Sequence, residues 1–97
     1  MSGAEQQEET PEEKPIPWYV YILLCGDGSL YTGITTDLTR RCEQHNAGTG
    51  ARYTRSRLPV SMVYHETQTN RSEASKRELA IKALPRTEKE ALINSVH

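Results

Sequence analysis

Five side chains in this 97-residue sequence could do chemistry together if the fold gathers them: Tyr21, Tyr31, Arg41, His45 and Glu78. Phenol and imidazole groups carry protons. A guanidinium stabilises charge on a phosphoryl group. A lone carboxylate suits a hard cation that keeps several waters, such as Mg²⁺. Arg41 and His45 are four residues apart, the spacing that puts two side chains on one helix face. Glu78 shares a helical stripe with Ala74 and Ile81, and a carboxylate there wants a cation, either a metal or an arginine. Simpler readings stand beside these. The tyrosines could be half-buried strand residues with wet hydroxyls. Arg41 could snorkel to solvent, and His45 could be a helix-end cation favoured by the dipole. Glu78 could pair with Lys82 at i+4, and Lys82 could instead approach a phosphate.

The elements that must position these groups follow from local pattern. "WYVYILLC" (18–25) and "SLYTGITT" (29–36) read as strands around the turn signal "GDG". "TTDLTRRCEQHNAG" opens with the capping residues Thr36 and Asp37 and closes at Gly48, giving a helix of about three turns. Residues 48–59 form a basic loop ended by Pro59, and "VSMVYHET" is a third strand. Asn70 and Glu73 stand at capping-box spacing before a helix that runs to Pro85, and Thr87 with Glu90 repeats the device. The order is β-β-α-β-α-α. Placing Val20, Ile22, Leu30 and Ile34 on one face requires an odd-length hairpin loop, with Gly28 at positive φ in a bulged turn. Tyr21, Tyr31 and Gly33 then share the opposite face, and Gly33 is expected to leave open space beside the two phenols.

Composition bounds the function. The first 17 residues hold five Glu, one Lys and three Pro, and read as a disordered acidic tail. The chain is −1 overall, so residues 18–97 carry +3, with 11 Lys or Arg against 8 Asp or Glu. Arg40, Arg41, Arg52, Arg55 and Arg57 cluster in sequence, opposed nearby by Asp37 and Glu43. That suits a phosphate-bearing partner, although a mixed-charge soluble surface gives the same count. Two cysteines, Cys25 and Cys42, are too few for a disulfide framework or a zinc site. There is no signal-like apolar core and no run of about 20 apolar residues. Free thiols without a leader or a membrane span point to the cytoplasm.

The succession "VYI" (20–22), "YTG" (31–33), Arg41 with His45, and Glu78 resembles the GIY-YIG nuclease superfamily over nearly all of Trp18–Leu84. The blocks "YTGITTDLTRRCEQH", "GARYTRSRLPV" and "RELAIKAL" are most similar to its small single-domain YhbQ-like branch. Val20 stands where the name-giving pattern has Gly, and "YTG" replaces "YIG". Many relatives carry an Asn about a dozen residues beyond the acid; here Glu90 and Asn94 occupy that neighbourhood, and no residue is carried over.

The resemblance implies an α+β fold, a three-stranded antiparallel sheet flanked by helices, over residues 18–97. It implies one divalent ion, Mg²⁺ or Mn²⁺, and phosphodiester hydrolysis. Tyr21 and Tyr31 match the two motif tyrosines and Gly33 the motif glycine. Arg41 matches the catalytic arginine, His45 the residue that helps shape the nucleophile pocket, and Glu78 the acidic metal ligand. Tyr21 is preferred to Tyr31 as base. Because a phenol has an ordinary pKa near 10, either neighbouring cations favour the phenolate or the proton passes along a chain involving His45. Arg40, Arg52, Arg55, Arg57 and Lys82 would hold the nucleic-acid backbone, and Tyr53 would stack on a base. The expected partner is DNA, structured or damaged strands in repair, with RNA left open and weak sequence preference for want of a targeting domain. The alternative is a nucleic-acid-binding module with little or no activity. A protein-interaction domain using the acidic tail is a third reading.

Overall fold

The computed structural model describes residues 16–95. The acidic tail expected over residues 1–17 lies, apart from Ile16 and Pro17, outside them. Strands β1 (Trp18–Leu24), β2 (Leu30–Thr35) and β3 (Ser61–Gln68) form one antiparallel sheet in the order β2-β1-β3. Helices α1 (Leu38–Asn46) and α2 (Arg52–Arg55) lie between β2 and β3, and α3 (Arg71–Lys82) and α4 (Arg86–Asn94) follow. The expected order holds, with one addition: the basic loop winds into the single turn of α2.

The hairpin register is the one that parity requires. Tyr21 pairs with Gly33 and Ile22 with Thr32. Cys25 and Ser29 close a loop of Gly26, Asp27 and Gly28, and Gly28 sits at φ +86°, where an L side chain would be strained. On the β1–β3 side a bulge between Ile22 and Leu23 shifts the pairing.

Strand β1 is covered on both faces, and Val20, Tyr21, Ile22 and Leu23 are all buried. That is why its sequence runs apolar without alternation. One face packs Val20, Ile22 and Tyr64 against Ala74 and Ile81 of α3, with Leu92 and Ile93 of α4 beside them. The other packs Tyr21, Leu23, Cys25 and Val60, with Leu38 and Cys42 of α1 beside them. Cutting Ile22 or Ile81 back to Ala would cost about 2–5 kcal/mol.

The caps fix where the helices begin. Asp37 Oδ1 accepts from the Arg40 amide at 3.1 Å, and Asn70 Oδ1 accepts from the Glu73 amide at 2.9 Å. Gly48, at φ +82°, follows the end of α1. The cap expected at Thr87 does not form. Helix α4 starts earlier, with Pro85 at the N-cap, and Glu90 pairs with Arg86 at 2.9 Å. Among the described residues no helix is long and apolar enough to cross a membrane.

Candidate active site

The centre is built where α1 crosses the hairpin. His45 comes from the last turn of α1 and is fully buried. Its Nε2 lies 2.9 Å from the Tyr21 hydroxyl, and its Nδ1 lies 2.8 Å from Thr54 Oγ1. His45 is therefore not the exposed helix-end cation that spacing alone allows. Burial, and then the charge of Arg41, hold its imidazole below the ordinary value, so the ring is neutral at pH 7.

Tyr21 is buried as well. Its phenol is pushed up to about 12, chiefly by burial, with Tyr31 and Glu78 adding to the rise. Arg41 is near enough to pull the other way, without offsetting burial. The expectation that neighbouring cations favour the phenolate is thus corrected: desolvation wins in the resting site. The open space expected at Gly33 is also corrected, because Tyr21 fills it. A Cβ on Gly33 would stand 2.5 Å from the Tyr21 hydroxyl. The glycine is the slot into which the phenol lies.

Tyr31 stands over the same centre, its ring 5.4 Å from that of His45 and 6.5 Å from that of Tyr21. It stacks on Tyr53 at 5.8 Å and 23°. Arg57 lies over the Tyr53 ring at 3.9 Å, donates to the Tyr53 carbonyl at 2.8 Å, and pairs with Asp27 of the hairpin turn at 3.0 Å. Tyr53 and Arg57, expected to meet a base and a phosphate, also pack here in series, Tyr53 on the Tyr31 ring and Arg57 on Tyr53. Arg52 and Arg55, with Ser56, line a separate shallow cleft on α2, and Arg40 lines another with Arg41, Gln44, Thr35 and Trp18. Arg41 is half-buried, and its Nη1 donates to Gln44 Oε1 at 3.0 Å.

Glu78 projects from α3, near enough for its charge to act on Tyr21. Its carboxylate lies 3.1 Å from Lys82 Nζ, so the i+4 pair read from the sequence does form. Among the described residues no three His, Cys, Asp or Glu gather as a metal cluster, so an ion here would rest on Glu78 with few protein ligands beside it. The donor chemistry fits. The Glu78 side chain is only 20% exposed and its present cation is the tip of a flexible lysine. One hard oxygen, with water and phosphate oxygens completing the shell, is a set Mg²⁺ accepts. Glu90 and Asn94 line a groove with Leu24, Leu30 and Arg86.

Two residues of this centre were missed from the sequence. Thr54 is fully buried, and a Cβ on Gly50 would fall 2.4 Å from His45 Nδ1. Both lie in the stretch read only as a basic loop.

The chain is similar to known proteins over most of its length. The family model described as the GIY-YIG catalytic domain matches residues 17–91. A UPF0213 protein of Desulfotalea psychrophila is 56% identical over 88 residues, covering 90% of this chain and 80% of its own. Another, of Halobacterium salinarum, is 53% identical over 74 residues, covering 76% and 96%. Among solved structures, a protein from E. faecalis is 48% identical with a TM-score of 0.57, over 84% of this chain and 86% of that one. The UPF0213 protein from Bacillus halodurans is 46% identical with a TM-score of 0.52, over 80% and 83%.

Proposed function

The chain belongs to the GIY-YIG family, and we propose that it is a divalent-metal-dependent endonuclease that hydrolyses phosphodiester bonds in DNA. The observation that supports this most is the placing of the Tyr21 phenol between a neutral imidazole and a guanidinium, inside reach of the Glu78 charge. A structural tyrosine needs one hydrogen-bond partner; this one has an imidazole nitrogen on one side and a cation on the other.

The residues divide the work as follows. Glu78 holds Mg²⁺ or Mn²⁺, which when bound supplies Lewis-acid polarisation of the phosphoryl group. Arg41 stabilises the charge that gathers on the phosphoryl oxygens. The attacking water gives a proton to the Tyr21 oxygen while Tyr21 gives its own to His45 Nε2. The water oxygen bonds to phosphorus as the bond to the departing sugar oxygen breaks, and that oxygen takes a proton from solvent. A relay of this kind never requires a free phenolate, so a phenol near 12 is no obstacle. Tyr31 walls the pocket and keeps the water in line. Arg40, Arg52 and Arg55 hold phosphates, with Lys82 joining them once it leaves Glu78. Such contacts position a strand without reading its sequence, which suits structured or damaged DNA met during repair in the cytoplasm. RNA shares the same phosphates and belongs in the test.

The decisive experiment is a panel of nicked, flapped, branched and single-stranded DNA, with RNA counterparts, assayed with Mg²⁺, Mn²⁺ or EDTA. Wild type should cut in either metal and not in EDTA, and Glu78→Ala should bind without cutting while keeping its circular dichroism spectrum. Equal cleavage by both proteins would sink the assignment. Binding without metal-dependent cleavage of any substrate would favour the second reading, a binding module.

A further inference from the structure

Thr54 has no part in the chemistry above, yet it is as buried as His45 and touches it. A threonine hydroxyl has a single proton to give. Thr54 Oγ1 lies 2.9 Å from the Ala51 carbonyl oxygen, an acceptor that can only receive. With the hydroxyl proton committed there, the 2.8 Å contact to His45 Nδ1 needs its proton from the ring. One other donor points at Nδ1, the Ala51 amide, but at 3.4 Å it is a long, weak hydrogen bond beside the 2.8 Å contact to Thr54. A neutral imidazole carrying its proton on Nδ1 has a bare Nε2, and Nε2 is the atom 2.9 Å from the Tyr21 hydroxyl.

From this we infer that Thr54 is a positioning residue that holds His45 as the Nδ1–H tautomer, so that Nε2 stands open to the Tyr21 proton. The inference deepens the nuclease reading and rests on it for its use, though not for its existence. The logic is that of any imidazole whose second nitrogen is fixed by an orienting partner. Here the orienter is a neutral hydroxyl, itself anchored to the backbone. Gly50 completes the device, since a side chain there would fall on the imidazole.

The test reads the tautomer directly. Nitrogen-15 chemical shifts of the histidine ring, recorded near pH 8 and assigned with His45→Gln, should give a protonated Nδ1 and an unprotonated Nε2 at His45. Thr54→Ser should keep that pattern and cleave within about threefold of wild type. Thr54→Val, which keeps shape and removes the hydroxyl, should mix or invert the tautomer. It should also lower kcat by about 10–100-fold, the usual effect of removing an orienting partner, with KM nearly unchanged. Should Thr54→Val fail to fold, the wild-type and Thr54→Ser spectra still decide. A wild-type His45 protonated on Nε2 would overturn the proposal, as would a Thr54→Val protein that is folded and keeps the wild-type tautomer. The expected tautomer in a protein that cuts nothing would leave this inference standing and overturn the nuclease reading instead.

Discussion

Tyr21 and Tyr64 are buried phenols on adjacent strands, facing opposite sides of the sheet, and both have a raised affinity for their proton, chiefly through burial. They differ in what receives that proton. Tyr64 donates to Glu66, whose other oxygen accepts from Arg77 at 2.8 Å and Gln68 at 2.7 Å. Burial raises the Glu66 carboxyl, but those donors more than offset it and hold it below its ordinary value. A carboxylate so stabilised does not take the proton, and the network on the α3 face is locked. On the proposed reading Tyr21 donates to an imidazole that burial and the charge of Arg41 hold neutral. That acceptor is neutral and can be charged and discharged. On the proposed reading the same residue type is a strut on one face and a proton carrier on the other, and its partner decides which.

The largest effect should come from removing one hydroxyl at a time. Tyr21→Phe should lower cleavage by about 10²–10⁴-fold, the range for losing a general acid or base, with little loss of substrate binding. Tyr64→Phe should leave cleavage within about twofold and cost about 1–2 kcal/mol in urea unfolding, because Glu66 loses a donor. If the two variants lose activity alike, the contrast between the faces is wrong.

A smaller effect separates the arginines. Arg52→Ala and Arg55→Ala should each weaken DNA binding and lower the salt slope of log K by about one. Arg57→Ala should leave that slope unchanged and instead lower kcat, since Arg57 braces Tyr53 and Tyr31. Titrating binding against salt for all three variants checks this; a reduced slope in Arg57→Ala would return it to the phosphate contacts.

The smallest effect is a pH slope. The charged and titratable groups around the His45 ring are Arg41, Tyr21 and Tyr31. With the imidazole depressed in the fold, the unfolded chain takes up a proton below about pH 6.5 that the folded chain refuses. Stability should therefore fall as pH drops below that value, and His45→Gln should flatten the fall. Parallel denaturation curves for the two proteins between pH 5 and 8 would show that the ring is not held neutral.

Much of this arrangement is legible in the sequence. Parity in the hairpin places Tyr21, Tyr31 and Gly33 on one face, and the caps at Asp37 and Asn70 follow from residue type. What escapes is set by contacts across the chain. Gly33 looks like a vacancy until Tyr21 is seen to fill it. Thr54 and Gly50 are part of the His45 pocket because the loop folds back over α1, which no local period announces. Tyr53 and Arg57 have the composition of a nucleic-acid contact, but Asp27, thirty residues earlier, draws Arg57 into a brace. The start of α4 escapes for a local reason, because Pro85 takes the capping position before Thr87 can.

The two-sided burial of β1 bears on how such a domain can change over time. From Val20 to Leu23, alternate residues serve the α3 core and the face of the site, so no position in that run is idle. A drifting lineage, or an engineer seeking a new substrate, finds no neutral step there. Freedom lies instead on the exposed arginines of α1 and α2, where the proposed grip on a strand could be retuned without disturbing what holds the phenol.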